Sequence, residues 1–405
     1  MAVQVADVDM PEMELDPTTW KEQRQALLKL INSGDWIART PLGYVITRYD
    51  DATAMLRDDR WYSAIGLIAD MQGYDHPDFR RRSGRNILAM EGEEHHRIRR
   101  LVGPAFTPKS AERLRPFMAE VINELLDPVC ARGSAEFVSE VCEPYPIPII
   151  CEMLGAPRED WKLFGRLATD IFRIFNGNLH RDGPVIVAAQ DEMETYMTAL
   201  IAERRTSPRD DLLTDLIAAE EEGDRLTTEE MLSLANSLLL AGTDTTRNQL
   251  ACAVALFCQH PDQLRRIADD PSLAPGAVEE VMRYLGAIRG TARFASEPII
   301  YRDIEFPPDT FIFPSLVGAN YDDEKFAEPT DFDITRRSGT PHMTFGSGIH
   351  YCLGAFLARA ELQESFKAIA TRMPDLRFDG EVKWKPLSDG IWGPTSLPIR
   401  FTPGH

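Results

Sequence analysis

The run from Thr228 to His260 constrains this 405-residue chain more than any other stretch. Thr228 reads as an N-cap, Glu229 and Glu230 fill the first turn, and Pro261 follows the end. The middle, Leu238-Leu239-Leu240-Ala241-Gly242, is apolar on nearly every face, so this long helix is expected to be buried. A hydrophobic fraction of 43% is enough to build the sizeable core that this requires. Into the apolar run come Gly242-Thr243-Asp244-Thr245-Thr246. A buried carboxylate is costly unless it is hydrogen-bonded or functional. A threonine hydroxyl can divert a backbone carbonyl and open a helix locally, making room for a ligand. Taken alone, the segment is equally a helix kink with a satisfied aspartate.

A second constraint lies in Phe345-Gly346-Ser347-Gly348-Ile349-His350-Tyr351-Cys352-Leu353-Gly354. Glycines at 346, 348 and 354 allow positive φ and close backbone approach, so this loop can lie flat against a planar group. A metal-ligating cysteine must be a thiolate, which nearby backbone N–H groups favour. Ala355 to Met373 reads as a helix, placing Cys352 near its start, where the dipole favours an anion. His350 can bond a carboxylate. The other cysteines, at 130, 142, 151, 252 and 258, are scattered in apolar or helical contexts without paired metal spacing and read as reduced thiols.

Three weaker signals carry charge. Glu280 and Arg283 form an i,i+3 pair in a helix opened by Pro275, a pattern usually seen on solvated surfaces. In Glu94-His95-His96-Arg97-Ile98-Arg99-Arg100, His95/Arg99 and His96/Arg100 each share a helix face, and spacing alone does not choose between them. Arg97, Arg99, Arg100, Lys109, Arg113 and Arg115 make a local cationic cluster in a chain whose net charge is −20. That overall charge disfavours nucleic acid and anionic membranes.

The organisation is mainly helical with small strands at both ends. Gly43 to Tyr49 reads as a strand followed by a short helix, Asp51 to Leu56. Tyr301–Phe306 and Thr310–Phe313 flank Pro307-Pro308-Asp309 and read as a hairpin. Helical patterns cover Lys109–Ala131, Val185–Arg205 and Gly354–Met373, whereas Trp61–Asn86 and Ile174–Gly183 read as mobile loops. The acidic stretch Met1–Asp16 reads as a flexible lead, neither signal peptide nor anchor, and no run of eighteen apolar residues occurs. A soluble cytoplasmic protein is expected.

Together these segments resemble the cytochrome P450 family, soluble bacterial branch, from about Gly43 to Phe401. The cysteine loop resembles its haem-binding F-x-x-G-x-H/R-x-C-x-G, and Ala241–Thr246 its oxygen-activation motif A-G-x-D/E-T-T/S. Phe326 to Arg336, with Pro329 and Phe332, resembles the meander F-x-x-P-x-x-F-x-x-x-R, and Glu94–Arg100 the entry E-H-x-R-x-R-R to a haem-facing helix.

The resemblance implies one P450 domain over residues 1–405, mainly α with small β-sheets. The implied architecture is a triangular prism with haem b between the long central helix and the cysteine-loop helix. It implies Cys352 as iron ligand, a thiolate that favours O–O cleavage, with Phe345, Gly346, His350 and Gly354 around the haem and Ala241 and Gly242 over it. Asp244 and Thr245 would relay protons. His95, Arg99 and Arg293 would hold the propionates, and Glu280, Arg283 and Arg336 would form a buried ionic triad. Leu88, Leu238, Ala287, Ile288, Ile391 and Trp392 become candidate pocket positions. All are apolar, suiting a terpenoid, steroid, fatty acyl or aromatic substrate.

Two departures stand out: Gly286-Ala287-Ile288 where relatives often carry a proline, and Tyr321 in Ala319-Asn320-Tyr321-Asp322 where Arg is common. No flavin or iron–sulfur motif occurs, so electrons are expected from an NAD(P)H-dependent reductase and an acidic ferredoxin docked on the cationic cluster. A peroxide-driven enzyme would usually replace the acid–alcohol pair. A haem-based sensor or carrier would need no relay and would bring an effector domain.

Overall fold

Thr227, one residue earlier than expected, caps the long helix, which runs Thr228–Gln259. Its hydroxyl accepts from the Glu230 N–H at 3.2 Å while the Glu230 carboxylate accepts from the Thr227 N–H at 2.7 Å. This capping box satisfies two otherwise orphaned donors reciprocally. Most of the helix is buried, as its apolar middle requires. Ser233, Asn236 and Leu240 are only half-buried on one face, and on another Thr245 is half-buried and Ala241 exposed, so two short faces stay open.

The computed structural model describes residues 2–14, 19–221, 226–387 and 390–402. The chain divides into two compact units. The first holds Met1–Ile65, Gly276–Cys352 and Lys385–Trp392, and the second Gly66–Pro275, Leu353–Trp384 and Gly393–His405.

The first unit carries a five-stranded sheet in the order Ile37–Thr40, Gly43–Ile46, Phe311–Pro314, Arg293–Ala295, Trp61–Ser63. Gly43 begins its strand at φ +141°, and a Cβ there would lie 2.3 Å from the Phe311 carbonyl oxygen, so only glycine lets these strands pair. The expected hairpin around Pro307–Asp309 does not form. Instead Ile299–Tyr301 and Ile304–Phe306 pair across Arg302 and Asp303, whose φ values are +48° and +60°. Two positive-φ residues make a tight turn matched to strand twist, yet Arg-Asp lacks the Asn-Gly signature. Pro307 and Pro308 have no N–H for a ladder, and the segment carries the chain to the other sheet. Val3–Gln4 adds a parallel strand to Ile304–Glu305 and Val5 is buried, so the stretch read as a flexible lead is tied down there.

The second unit is helical, with a small sheet of Arg377–Phe378, Pro398–Arg400 and Ser134–Glu136 and a strand pair, Lys383–Trp384 with Pro394–Ser396. Its major helices include Pro108–Arg132, Pro146–Leu154, Trp161–Ile171, Leu179–Thr206 and Ala355–Arg372. Two expected loops are structured. Pro77–Gly84 is helical, anchored by buried Phe79 and by Arg82 pairing with Asp191 and Glu194. One apolar anchor gives no periodicity to read. Asn178 caps the helix that begins at Leu179, its side chain accepting from the Arg181 N–H, so Ile174–Gly183 is mostly helix and turn. Among the described residues no helix is long and apolar enough to cross a membrane.

In the first unit the expected triad is present. Glu280 accepts from Arg283 Nε and Nη2 at 2.8 Å each and from Arg336 Nε at 3.1 Å, with Glu280 and Arg283 side chains both 2% exposed. Arg283 also donates to the carbonyls of Asn320, Pro329 and Asp331. Glu280→Ala would leave that guanidinium buried without its counter-charge, at about 3–5 kcal/mol. Soluble yield and denaturation midpoint should both fall; a midpoint near that of the unsubstituted protein would show that the pair contributes only as a surface contact does.

In the second unit, burial of Glu361 pushes its carboxyl up to about 8, with Thr246 offsetting only part of the shift. The folded chain keeps this proton through neutral pH, while the unfolded chain loses it near the ordinary value of 4.5. Stability from this group therefore falls as pH rises between those two values and is level above. Glu361→Gln, which mimics the protonated form, should flatten that decline when denaturation midpoints are compared at about pH 5.5 and pH 8. Parallel profiles for both proteins would show that Glu361 ionises in the fold.

Candidate active site

The cysteine loop belongs to the first unit. Gly346 donates to the Met343 carbonyl at 2.7 Å and Cys352 to the Phe345 carbonyl at 2.9 Å, folding the loop back on itself. Gly346 and Gly348 sit at φ +72° and +71°. A Cβ on Gly348 would lie 1.8 Å from the Leu56 carbonyl oxygen, whereas one on Gly346 would meet nothing within 4 Å. One glycine thus seats the loop on its own unit and the other leaves a bare face. Cys352 is half-buried. By contrast, burial pushes Cys151 and Cys258 up to about 12 and Cys142 well above its usual range, so these are neutral thiols.

Buried polar contacts hold the loop from behind. Asn320, whose carbonyl accepts from Arg283, receives the Met343 N–H on its side-chain oxygen at 2.6 Å and donates from its amide to Thr344 Oγ1 at 3.0 Å. Thr344 in turn donates to the Met282 carbonyl at 2.6 Å. Neither Asn320 nor Thr344 was among the expected site residues; the only signals were Asn320's place in Ala319-Asn320-Tyr321-Asp322 and Thr344's place next to Phe345. Tyr321, the departure next to Asn320, is buried, donates to the Tyr284 carbonyl at 2.7 Å and accepts from Arg24 at 3.2 Å. Gly286 also has a reason: a Cβ there would lie 2.7 Å from Thr344 Oγ1.

In the second unit the long helix continues unbroken through Gly242–Thr246. Thr245 Oγ1 donates to the Ala241 carbonyl at 2.5 Å, and Thr243 to that of Leu240 at 3.1 Å, so the hydroxyls cap carbonyls rather than opening the helix. Gly242 turns its bare side to Ile150, 2.3 Å from where a Cβ would stand, and Ala241 is the residue left exposed. Asp244 is buried and paired with the Arg247 guanidinium one turn on, which also reaches Glu143 at 3.5 Å. Asp244 and Arg247 line a cavity of about 520 Å³ shared with Lys162, Arg166 and Asp170. Arg247 was not among the expected site residues, although its i,i+3 spacing from Asp244 was readable.

The helix Gly92–Val102 decides between the two His/Arg pairs. His95 is 1% exposed and Arg99 half-buried on the face of Ile98, while His96 and Arg100 are exposed. Arg293, in the first unit, is buried and donates to Thr291 Oγ1 and the Ala292 carbonyl. His350 lies half-buried in the turn Gly348–His350. Each unit by itself fits part of a haem. The first supplies a half-buried thiol beside a bare glycine face and an arginine, and the second supplies an open Ala241 face with His95 and Arg99.

The expected pocket residues differ in availability. Leu88 is 38% exposed and Ile288 half-buried, whereas Leu238, Ala287, Ile391 and Trp392 are buried. Trp392 is committed to structure: its indole donates to the Lys385 carbonyl at 3.0 Å, its backbone to that of Ala287 at 2.9 Å, and Arg289 stacks 4.7 Å from its ring. Three residues of the cationic cluster face carboxylates of this chain. Arg97 pairs with Glu230, Arg113 with Asp210, and Arg115 with Glu112 and Glu364.

Known proteins place these features. The family model "Cytochrome P450" matches residues 161–270 and 272–370. The chain is 36% identical to luteothin monooxygenase of Streptomyces thioluteus over 370 residues, covering 90% of each. It is 33% identical to 6-deoxyerythronolide B hydroxylase of Saccharopolyspora erythraea, covering 88% of this chain and 90% of that protein. The crystal structure of CalO2 superposes with a TM-score of 0.88 at 31% identity, covering 96% of this chain and 99% of that one. The chain's relatives are monooxygenases that bind haem iron, and with their sequence and fold shared, this chain belongs to the cytochrome P450 family as a bacterial-type monooxygenase.

Proposed function

We propose that the chain, acting as a single P450 domain in the cytoplasm, hydroxylates a hydrophobic small molecule with electrons from an external ferredoxin and its NAD(P)H-dependent reductase. The observation that carries the reading is the intact acid–alcohol pair: a buried Asp244 next to a Thr245 hydroxyl tied to the Ala241 carbonyl. Haem b, when bound, supplies the redox chemistry that splits dioxygen and delivers one oxygen atom. Cys352 Sγ would hold its iron, and His95, Arg99, Arg293 and His350 would pair with its carboxylates, where an arginine fork keeps its charge and binds bidentately. Phe345, Gly346 and Gly354 would border it on the cysteine side.

Because the Thr245 hydrogen is given to Ala241, the hydroxyl oxygen remains as an acceptor toward the open helix face. Asp244 points about 100° around the helix from Thr245, toward the cavity it shares with Lys162 and Arg166. There Arg247 holds the carboxylate, and a swing of that guanidinium would free it to take up a proton and pass it on. The two side chains divide the labour: Asp244 moves protons and Thr245 orients the group that receives them. A peroxide-driven enzyme would not need that pair. The ferredoxin, acidic as expected, would approach the cationic cluster of Arg97, Arg99, Arg100, Lys109, Arg113 and Arg115.

Thr245→Ala is expected to keep substrate binding and NAD(P)H consumption while product per electron pair drops several-fold and hydrogen peroxide rises. Asp244→Asn should instead slow turnover, on the order of 10²-fold. Coupling efficiency in a reconstituted ferredoxin system decides between the roles. Full coupling in Thr245→Ala would mean that the hydroxyl only caps the Ala241 carbonyl.

A further inference from the structure

Among the buried polar atoms of the second unit that have no hydrogen-bond partner among the described residues are Arg82 Nη1, Gln190 Oε1 and Asn236 Oδ1. They come from three helices, Pro77–Gly84, Leu179–Thr206 and Thr228–Gln259, yet all line one cavity of about 60 Å³. Buried polar groups are rarely left unpaired, and when three converge on one space they define the chemistry of what enters it. Ser237, which also lines this cavity, lies one turn before Ala241 on the same face of the helix. Five residues separate Asn236 from Ala241, about 7.5 Å along the helix.

The charges around the cavity are already balanced. Arg82 Nη2 holds Asp191 and Glu194, Arg85 pairs with Glu229, and Arg81 lies 3.8 Å from Asp78. A cationic group would face three arginines, and an anionic one would compete with carboxylates in place. A neutral group that both accepts and donates meets the need: it takes an N–H from Arg82 and gives hydrogen to the Gln190 and Asn236 oxygens, to both when it is a primary carboxamide and to one of them when it is a hydroxyl.

We infer that this cavity is a polar subsite that selects substrates bearing a hydroxyl or carboxamide, several carbons away from the carbon that is oxidised. The inference rests on the monooxygenase reading and narrows it, because the pocket positions legible in the sequence were all apolar. A site built to pair such a group rejects analogues that lack it. Neither Asn236 nor Gln190 belongs to the catalytic pair.

The test is calorimetric titration of the haem-loaded protein with dodecane, dodecan-1-ol, dodecanamide and dodecanoate, in the unsubstituted chain and in Asn236→Leu and Gln190→Met. The alcohol and amide should bind about tenfold tighter than dodecane and dodecanoate. For the amide, which needs both oxygens, that advantage should shrink to within about twofold in either variant, with dodecane affinity kept. An equal advantage in both variants, no head-group preference, or a preference for dodecanoate overturns the inference. Dodecane serves as the control for the wider reading. If it shifts the haem spectrum without head-group preference, only the subsite falls; if no ligand shifts the spectrum, the substrate reading falls with it.

Discussion

Arg283 is the interaction on which the first unit depends. A guanidinium carries five N–H donors and cannot shed its charge, so burying one demands five acceptors at fixed positions. Here all five are met: two by Glu280 and three by the carbonyls of Asn320, Pro329 and Asp331. Those carbonyls belong to segments distant in sequence, so satisfying the arginine pins the meander to the helix Ala274–Tyr284. From Asn320 the same set of bonds runs through Met343 and Thr344 to the turn that presents Cys352. A metal ligand is only as well placed as the atoms behind it, and here the support is a fully paired polar network rather than apolar packing.

The second unit solves the opposite problem. Its long helix is buried nearly throughout, and apolar contact alone would leave no place for a substrate. Small residues and capped hydroxyls make the exception. Gly242 lets the helix Pro146–Leu154 approach, Ala241 stays exposed, and Thr245 turns its hydrogen inward to a carbonyl. Asp244, facing a separate charged cavity, remains ionically held by Arg247 without blocking that face.

Much of this was legible from residue patterns because it rests on local rules. Periodicity located the helices, and the glycine spacing around Cys352 announced a loop with positive φ. The charged pair Glu280/Arg283 became specific only beside Arg336. What escaped were features set by distant partners. Arg302 and Asp303 form a tight turn that their residue types do not advertise. Pro77–Gly84 is a helix with one buried apolar residue and many charges, and the partners of its Arg82 lie more than a hundred residues on. Whether an arginine of the cationic cluster faces solvent or a carboxylate of its own chain is likewise a tertiary fact. That Trp392, a candidate pocket position, is held by three contacts of its own unit was equally illegible.

The central claim is that Cys352 alone, of the six cysteines, acts as a thiolate ligand. The most direct measurement is the carbon monoxide difference spectrum of the reduced, haem-loaded protein and of its Cys352→His variant. The account predicts a red-shifted Soret band of the thiolate type in the first and its loss in the second, with haem still bound. A variant that kept the band would show that another cysteine ligates the iron and that the loop serves some other purpose.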